Sequence, residues 1–244
     1  MNFRLAVAIV PLLALAACGK SGTANSSVPA PPVAAVTAPA GQMWSDVVAD
    51  TGEGVRMGNP AAPIKLIEYG SRLCPTCGAF GREGMRPLIE NYVASGKVSY
   101  EFREFLVHGP PDIPPALLGK CGGVQPFFPI LEQMYLNQPD ILAKWEAMPK
   151  ELQQSMATLP PTQFATKFAE QTGMIDFVKQ RGIPEAQARA CLNDMPKLEE
   201  LAKLSDAAQA SGKVTGTPTF LINDVRADAV SWGQLEPLLK SAGA

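Results

Sequence analysis

Three stretches of the chain carry the apolar patterns of β-strands. Residues 64–69 are almost continuously apolar, as expected of a strand that is covered on both faces. Residues 98–106 alternate between apolar and polar positions, which also predicts a strand. Residues 214–222 form a third apolar stretch, and Asn223-Asp224 marks a turn into a short last strand at residues 225–227. The pattern predicts one sheet built from early and late parts of the chain.

Residues 75–95 form a predicted helix with an unusual composition. Gly78, Gly81 and Gly84 lower its helix propensity, and Pro87 is expected to kink it. The glycines either permit close packing on the sheet or loosen the first turns, and the sequence leaves both possibilities open.

A long stretch with helical periodicity lies between the early and late strands. It follows a proline-rich bend at residues 109–115 and continues to about residue 212, and a further amphipathic helix is predicted at residues 232–241. Strands at both ends with helices between them predict an α/β fold with an inserted helical domain. The predicted helices of the middle part are residues 127–136, 162–171, 175–180, 184–192 and 197–211.

The segment Cys74-Pro75-Thr76-Cys77 directly follows the first predicted strand and opens the predicted helix. Cysteines three residues apart lie on one helix face, so they can close a disulfide with little backbone movement. The first sulfur lies at the helix N-terminus, where unpaired N–H groups favour a thiolate. Pro75 suits the first helical position, whose N–H has no partner within the helix. The spacing is typical of a thioredoxin-like redox motif, although metal sites use it as well.

A second motif lies far downstream at Gly216-Thr217-Pro218-Thr219-Phe220, where Thr-Pro opens an apolar strand. Together with the two cysteines and the helical stretch between, it makes residues 43–244 resemble the DsbA-like thiol:disulfide oxidoreductases of the thioredoxin superfamily. The resemblance implies a thioredoxin fold formed by residues 43–108 and 213–244, with the inserted helical domain at residues 109–212. It also implies a cis peptide bond before Pro218, and an ordinary proline at the start of a strand is the alternative.

The resemblance assigns roles to the residues of both motifs. Cys74 is the expected nucleophile, and Cys77 is the more buried resolving thiol. Pro75, Thr76 and Thr217 are assigned to substrate binding. The family's strongest oxidants carry Pro-His between the cysteines, whereas Thr76 offers a hydroxyl but no positive charge. Thr217 is expected to present its backbone to an extended substrate chain, with simple packing as the alternative.

Three polar residues near the first motif are further candidates. Glu68 lies in the middle of the first strand, where a carboxyl group is costly unless it is paired. An acid at this position in the family is thought to move the proton of the second thiol; the alternative is a glutamate that reaches solvent or Lys65. Arg72 could stabilise a thiolate but is expected to be solvated. His108, the single histidine, is expected to be structural or exposed.

The N-terminus resembles a bacterial lipoprotein signal. Residues 1–17 have a short basic start and an apolar stretch that is too short to span a membrane as a mature helix. The order Leu-Ala-Ala before Cys18 is that of a lipobox, which predicts cleavage before Cys18 and its lipidation; a plain secretory signal is the alternative. Residues 18–42 lack apolar periodicity and are rich in Pro, Ala and Ser, which predicts a flexible, disordered tether.

Four cysteines remain when Cys18 is set aside. An even number is typical of a compartment outside the cytoplasm, where disulfides persist. With Cys74 and Cys77 as the redox pair, Cys121 and Cys191 are the expected structural disulfide, as in several DsbA-like proteins; two separate buried thiols are the alternative. The protein is therefore expected in the periplasm or cell envelope, lipid-anchored on the extracytoplasmic face.

Composition and resemblance together define the expected function. A net charge of −2 and a pI of about 5.6 give no reason to invoke nucleic acid. The resemblance implies disulfide exchange with extended segments of cysteine-containing secreted proteins, a membrane or periplasmic redox partner and no cofactor. The segment before residue 43 has no heptads, which favours a monomer, and one histidine with one C-x-x-C leaves too few ligands for a zinc site. A dithiol oxidase is favoured over an isomerase or reductase on the same fold. The rivals from other classes are a non-enzymatic Cu(I)-binding lipoprotein, in which the two thiolates hold the metal, and a redox-inert binding lipoprotein.

Overall fold

The computed structural model describes residues 30–244, which build a six-stranded mixed sheet. The strands lie in the order β1-β2-β4-β3-β5-β6, with β3 parallel to β4 and each other neighbouring pair antiparallel. The two central strands are buried along nearly all of their length, which explains their apolar sequences. The strands are Val48–Asp50 (β1), Val55–Met57 (β2), Ile64–Gly70 (β3), Val98–Glu104 (β4), Thr219–Ile222 (β5) and Val225–Arg226 (β6).

The turn between β5 and β6 is a tight hairpin, as predicted. Asn223 and Asp224 have φ angles of 50° and 65°, and a type I′ turn requires positive φ at both central residues. Asn223 also contacts the neighbouring strand, because its Oδ1 accepts from the Lys65 N–H and its own N–H donates to the Lys65 carbonyl. The strand predicted at residues 214–222 is shorter than expected and begins at Thr219.

The helices pack into two apolar cores. They are Pro75–Pro87 (α1), Ile113–Lys120 (α2), Phe127–Glu146 (α3), Lys150–Ala157 (α4), Pro161–Thr172 (α5), Met174–Lys179 (α6), Glu185–Leu192 (α7), Met195–Ala210 (α8) and Trp232–Ser241 (α9). α1, α9 and the start of α3 cover one face of the sheet, around Phe102 and Phe220. The second core lies within the helical insertion between β4 and β5. α8 covers part of the other sheet face, next to Tyr69.

The helix that begins at the two cysteines changes its winding at Pro87. α1 ends there, and Leu88–Val93 continues as a π-helix. Proline has no N–H to donate and its ring crowds the preceding turn, so the winding changes at the position where a kink is predicted.

The three glycines of α1 permit close packing, but against other helices. A Cβ on Gly78 would overlap the side chain of Gln138, and a Cβ on Gly81 would overlap the ring of Tyr135, both on α3. A Cβ on Gly84 would lie 2.9 Å from Cβ of Trp232 on α9. Gly78 and Gly81 therefore bring the cysteine-bearing helix against the helical insertion, and Gly84 brings it against α9; the sequence pattern suggests packing on the sheet instead.

The prediction of a bend over residues 109–115 is wrong for residues 113–115, which are helical. After a 3₁₀ turn at Pro110–Asp112, α2 begins at Ile113 and contains Pro114 and Pro115. These prolines fit because the first N–H groups of a helix have no partner within the helix.

The predicted end of the next helix at residue 136 is also wrong, because α3 continues through Pro139 to Glu146. Pro139 leaves the carbonyl of Tyr135 without its helical donor. Nη1 of Arg82 replaces that donor at 3.0 Å, so a side chain from α1 repairs the gap. A short helix or strand is expected from the sequence at residues 44–49, where a 3₁₀ turn at Trp44–Asp46 is followed by β1. The sequence did not predict β2 or α4.

Residues 30–42 contain no helix or strand, but part of this segment contacts the folded domain. The N–H groups of Ala30 and Val33 donate to carbonyls of the C-terminal segment, and the Val36 N–H donates to the loop before β4. Nε1 of Trp44 donates to the Val36 carbonyl at 2.6 Å. Residues 30–36 therefore make hydrogen bonds to the folded domain, and a flexible tether over residues 18–42 remains a prediction.

The other N-terminal predictions lie outside the described residues: the signal at residues 1–17, the lipidated Cys18, and the tether as far as residue 29. Within residues 30–244, no helix is long and apolar enough to cross a bilayer. The exact domain limits at residues 108 and 212 remain predictions.

Candidate active site

The two cysteines of the first motif lie at the junction of β3 and α1. Cys74 is the N-cap of α1 and Pro75 opens the helix. Both thiols are free; Cys77 is fully buried, and Cys74 is 7% exposed beside the exposed Pro75 and Thr76. Of the two cysteines, only Cys74 retains some exposure, and it is adjacent to two exposed residues that are predicted to bind substrate.

The surroundings of the two thiols separate their proton affinities. A hydrogen bond from the Cys77 thiol lowers the pKa of Cys74 to about 5, helped by Thr217 and by the N–H groups of Cys77 and Thr76, while burial opposes the shift. Burial is also the main cause that raises the pKa of Cys77 well above its ordinary value. Cys74 is therefore a thiolate at neutral pH, and Cys77 is a thiol.

The second motif faces the first sulfur. The peptide bond between Thr217 and Pro218 is cis, and β5 begins at the next residue. Sγ of Cys74 lies 3.4 Å from the Thr217 carbonyl, which accepts from the thiol form. The Thr217 hydroxyl is buried and has no other partner among the described residues, so it is free to donate to the thiolate form.

Ser71 and Asp112 hold the turn that leads to Cys74. Oγ of Ser71 accepts from the N–H groups of Leu73 and Cys74, at 3.0 and 3.2 Å, and donates to Oδ1 of Asp112 at 2.7 Å. Asp112 is buried and also binds the half-exposed His108, through the backbone N–H and Nδ1. His108 thus has a structural contact, as expected, and no sequence signal pointed to Ser71 or Asp112.

Gln138 on α3 holds the same turn from the helical insertion. Its Nε2 donates to the carbonyls of Arg72 and Cys74, at 3.0 and 2.9 Å, and the residue is 2% exposed. The absence of a side chain at Gly78 makes room for this contact. Sequence reasoning missed Gln138, because the contact joins residues 64 positions apart.

Glu68 is fully buried behind the cysteines, so the alternative in which it reaches solvent or Lys65 is wrong. Oε2 of Glu68 accepts from the Tyr100 hydroxyl at 2.6 Å, and Oε1 has no partner among the described residues. Burial raises the pKa of Glu68 to about 8; the Tyr100 hydrogen bond opposes this shift, and Cys74 and Glu104 add to it. Glu68 is therefore mostly neutral at pH 7, and in its ionised form it helps to raise the pKa of Cys77.

Arg72 is not solvated, and that prediction is wrong. Its guanidinium group is buried between the rings of Phe127 and Phe102, at 4.9 and 5.7 Å, and its Nε donates to Glu104 at 2.8 Å. Gly119 leaves the space that the guanidinium occupies. Arg72 joins the active-site turn to the helical insertion rather than facing the Cys74 sulfur.

Comparison with known proteins identifies the family. The family model described as thioredoxin matches residues 50–241. The chain belongs to the thioredoxin family. The predicted fold class, a thioredoxin fold with an inserted helical domain, is confirmed by solved structures with the same arrangement.

The thioredoxin-family relatives carry names from disulfide chemistry. A protein-disulfide isomerase from Novosphingobium aromaticivorans is 27% identical, with a TM-score of 0.73 over 76% of this chain and 95% of its own. Wolbachia pipientis α-DsbA1, at 19% identity, a TM-score of 0.61, and coverage of 77% and 89%, shows the shared fold alone. A Rickettsia felis protein named "Putative protein-disulfide oxidoreductase" is 25% identical over 70% of this chain and 53% of its own. The chain thus spans about half the length of the curated relatives it matches.

The other two cysteines of this thioredoxin-family protein form a disulfide within the helical insertion. Cys121 follows α2 and Cys191 lies in α7, with their Cα atoms 5.9 Å apart. Nε2 of Gln187 also donates to the Cys121 carbonyl at 2.8 Å. The disulfide links the end of α2 to α7, although the two cysteines are 70 residues apart in the sequence. It does not involve the two cysteines at the start of α1. Among residues 30–244, no group of three or more His, Cys, Asp or Glu side chains is arranged to hold a metal ion.

Proposed function

We propose that the protein is an extracytoplasmic thiol:disulfide oxidoreductase that oxidises dithiols in cysteine-containing secreted proteins. The observation that carries the proposal is the asymmetry of the pair: Cys74, with a pKa of about 5, lies beside the exposed Pro75 and Thr76, whereas Cys77 is fully buried and its pKa is raised. A stable Cys74 thiolate favours the reduced state of the pair, so its disulfide readily accepts electrons from a substrate.

The reaction proceeds by two thiol–disulfide exchanges. A substrate thiolate attacks Sγ of Cys74 in the oxidised protein, the Cys74–Cys77 bond breaks, and Cys77 leaves with the electron pair. Because the pKa of Cys77 is raised, its thiolate takes up a proton, and neutral Glu68 is the buried donor. A second substrate thiolate then attacks the substrate sulfur of the mixed disulfide, and Cys74 leaves as a thiolate. The substrate dithiol is oxidised to a disulfide and the protein is reduced.

The surface around Cys74 suits an extended substrate chain. Thr217 and Pro218 precede β5 and lie against the sulfur, so the backbone of Thr217 can pair with a substrate strand. Pro75 and Thr76 are exposed on the other side of Cys74. A membrane or periplasmic redox partner would then reoxidise the pair, and the protein would act as a monomer.

Two measurements test the activity. The oxidised protein should form a disulfide in a peptide with two cysteines, Cys74→Ser should abolish this, and Cys77→Ser should be unable to release a bound thiol by resolution. Equilibration with glutathione gives the reduction potential: a value above about −180 mV supports an oxidase, whereas one near −270 mV, the range of thioredoxin, indicates a reductase. Activity only on scrambled disulfides would support an isomerase, the second candidate, because the Novosphingobium aromaticivorans relative is named for that activity. Tight Cu(I) binding without any exchange would support the metal carrier.

The site of action is a separate proposal. The signal at residues 1–17 and Cys18 would place the mature protein on the extracytoplasmic face through a lipid anchor. Labelled fatty acid should enter the wild-type protein and not a Cys18→Ala variant. A labelled Cys18→Ala protein, or an unlabelled wild type in a lipoprotein-processing host, would contradict the anchor.

A further inference from the structure

The contact between Tyr100 and Glu68 distinguishes the two carboxyl oxygens of the proposed proton donor. Both residues are fully buried, and the phenol donates to Oε2 at 2.6 Å. Glu68 and Tyr100 lie on the same face of the two central strands, because Glu68 pairs with Phe102 and Leu66 pairs with Tyr100 in the parallel register. They are diagonal neighbours across the sheet, so the contact is fixed by strands rather than by a loop.

The two oxygens of the Glu68 carboxyl group differ in their surroundings. Oε2 is held by the phenol, while Oε1 is buried without a partner among the described residues. Oε1 lies close to the backbone at Gly70, where a Cβ would be 3.0 Å away, so the glycine keeps this oxygen unobstructed. Since Oε2 already accepts a hydrogen bond, the proton of the neutral acid lies on Oε1.

The group that donates a hydrogen bond to Glu68 is an uncharged phenol, and this affects the pKa of Glu68. The ionisable groups that face Glu68 are Cys74 and Cys77 from α1, Glu104 from β4 and Tyr135 from α3, besides Tyr100 itself. The nearby cation, Arg72, is paired with Glu104 and does not bind Glu68. A neutral phenol stabilises the carboxylate less than a cation would, so the acid keeps its proton near neutral pH.

We propose that Tyr100 is a positioning residue for disulfide exchange: its hydroxyl holds Oε2 of Glu68, so that Oε1 is the oxygen that exchanges a proton with Cys77. This inference rests on the proposed function. When Cys77 leaves the disulfide as a thiolate, the proton moves from Oε1 to Sγ of Cys77, and Glu68 becomes a carboxylate whose charge the Tyr100 hydrogen bond stabilises. In the reverse direction the carboxylate takes the proton from the Cys77 thiol.

The matched pair Tyr100→Phe and Tyr135→Phe tests the inference in the full chain. Each variant removes one buried phenol hydroxyl, but only the Tyr100 hydroxyl binds Glu68, and the Tyr135 hydroxyl has no partner among the described residues. Infrared difference spectra between low and high pH give the carbonyl stretch and the pKa of Glu68, with Glu68→Gln identifying the band. Tyr100→Phe should shift the stretch and raise the pKa of Glu68 by about 1–2 units, because a hydrogen bond to the charged form is lost.

The second readout is the pH dependence of the exchange rate with a two-cysteine peptide. The rate should fall at high pH, where Glu68 loses the proton that it would give to Cys77. This fall, the basic limb of the profile, should move to higher pH in Tyr100→Phe, together with the pKa of Glu68, and should stay in place in Tyr135→Phe. An unchanged Glu68 band in Tyr100→Phe, an unmoved basic limb, or equal shifts in both variants would overturn the inference. The infrared result does not depend on turnover, so a wild-type protein that fails to oxidise the peptide would refute the proposed function separately.

Discussion

Replacing Glu68 by glutamine should remove a strong pH dependence from the stability of the oxidised protein. The pKa of Glu68 rises from an ordinary value of 4.5 to about 8 in the folded state. Between these two values the folded state binds one more proton than the unfolded state, so the free energy of unfolding falls by about 1.4 kcal/mol per pH unit. The oxidised protein lacks the Cys74 charge that adds to this shift, so it should lose up to about 5 kcal/mol between pH 4.5 and 8, and up to about 3 kcal/mol of this by pH 7.

The oxidised state is essential to this measurement. In the reduced protein the lowered pKa of Cys74 acts in the opposite direction, because its contribution to stability is present above the ordinary pKa of 9.0 and is lost as the pH falls through about 5. The two slopes overlap in the neutral range and hide one another. A Cys74–Cys77 disulfide does not titrate, so the opposing slope of Cys74 is removed, and the difference between the parent and Glu68→Gln then isolates the slope of Glu68 from that of other groups such as Glu104.

Urea denaturation of oxidised parent and Glu68→Gln proteins at pH 5, 6, 7 and 8 measures the effect. Glutamine keeps an acceptor for the Tyr100 hydroxyl, and any cost of its buried amide group is independent of pH, so the difference in slope is diagnostic. Glu83→Gln, at an exposed position on α1, is the control and should follow the parent. Parallel stability curves for the parent and Glu68→Gln would refute the reasoning, because they would mean that Glu68 ionises alike in the folded and unfolded chains.

Three further predictions concern the surroundings of the sulfurs and the second disulfide. Thr217→Val removes a donor to the thiolate and should raise the pKa of Cys74 by about one unit, measured by thiolate absorbance at 240 nm; an unchanged titration would show that the hydroxyl does not reach the sulfur. Gln138→Leu removes the side-chain donor to the Arg72 carbonyl and one of two donors to the Cys74 carbonyl, which keeps the Gly78 N–H, and should lower the free energy of unfolding by about 1–3 kcal/mol, with Gln138→Glu at least as destabilising; wild-type midpoints in urea would contradict a stabilising role of Gln138. Replacing Cys121 and Cys191 together by alanine opens a long loop and should cost up to about 4 kcal/mol while the peptide is still oxidised; loss of exchange in a folded variant would argue against a purely structural bond.

Features set by neighbouring residues could be predicted from the sequence. The apolar strand, the two cysteines and the proline after the first cysteine are consecutive, so strand and helix geometry place the sulfurs at one helix end. The Asn223-Asp224 hairpin and α9 were predicted for the same reason, since turn chemistry and helical periodicity act over a few residues.

Features that depend on distant segments meeting were decided only by the tertiary structure. Gln138 reaches Cys74 across 64 positions, and Asp112 reaches Ser71 across 41. Helix α3 continues through Pro139 because Arg82 supplies the missing donor, which no local pattern contains. The sequence alone placed an acid in the middle of a strand, but its burial and its partner Tyr100 depend on the register of β3 and β4. Register and helix packing are collective outcomes of side chains far apart in the chain, so residue spacing determined where the sulfurs lie, and packing determined what holds and tunes them.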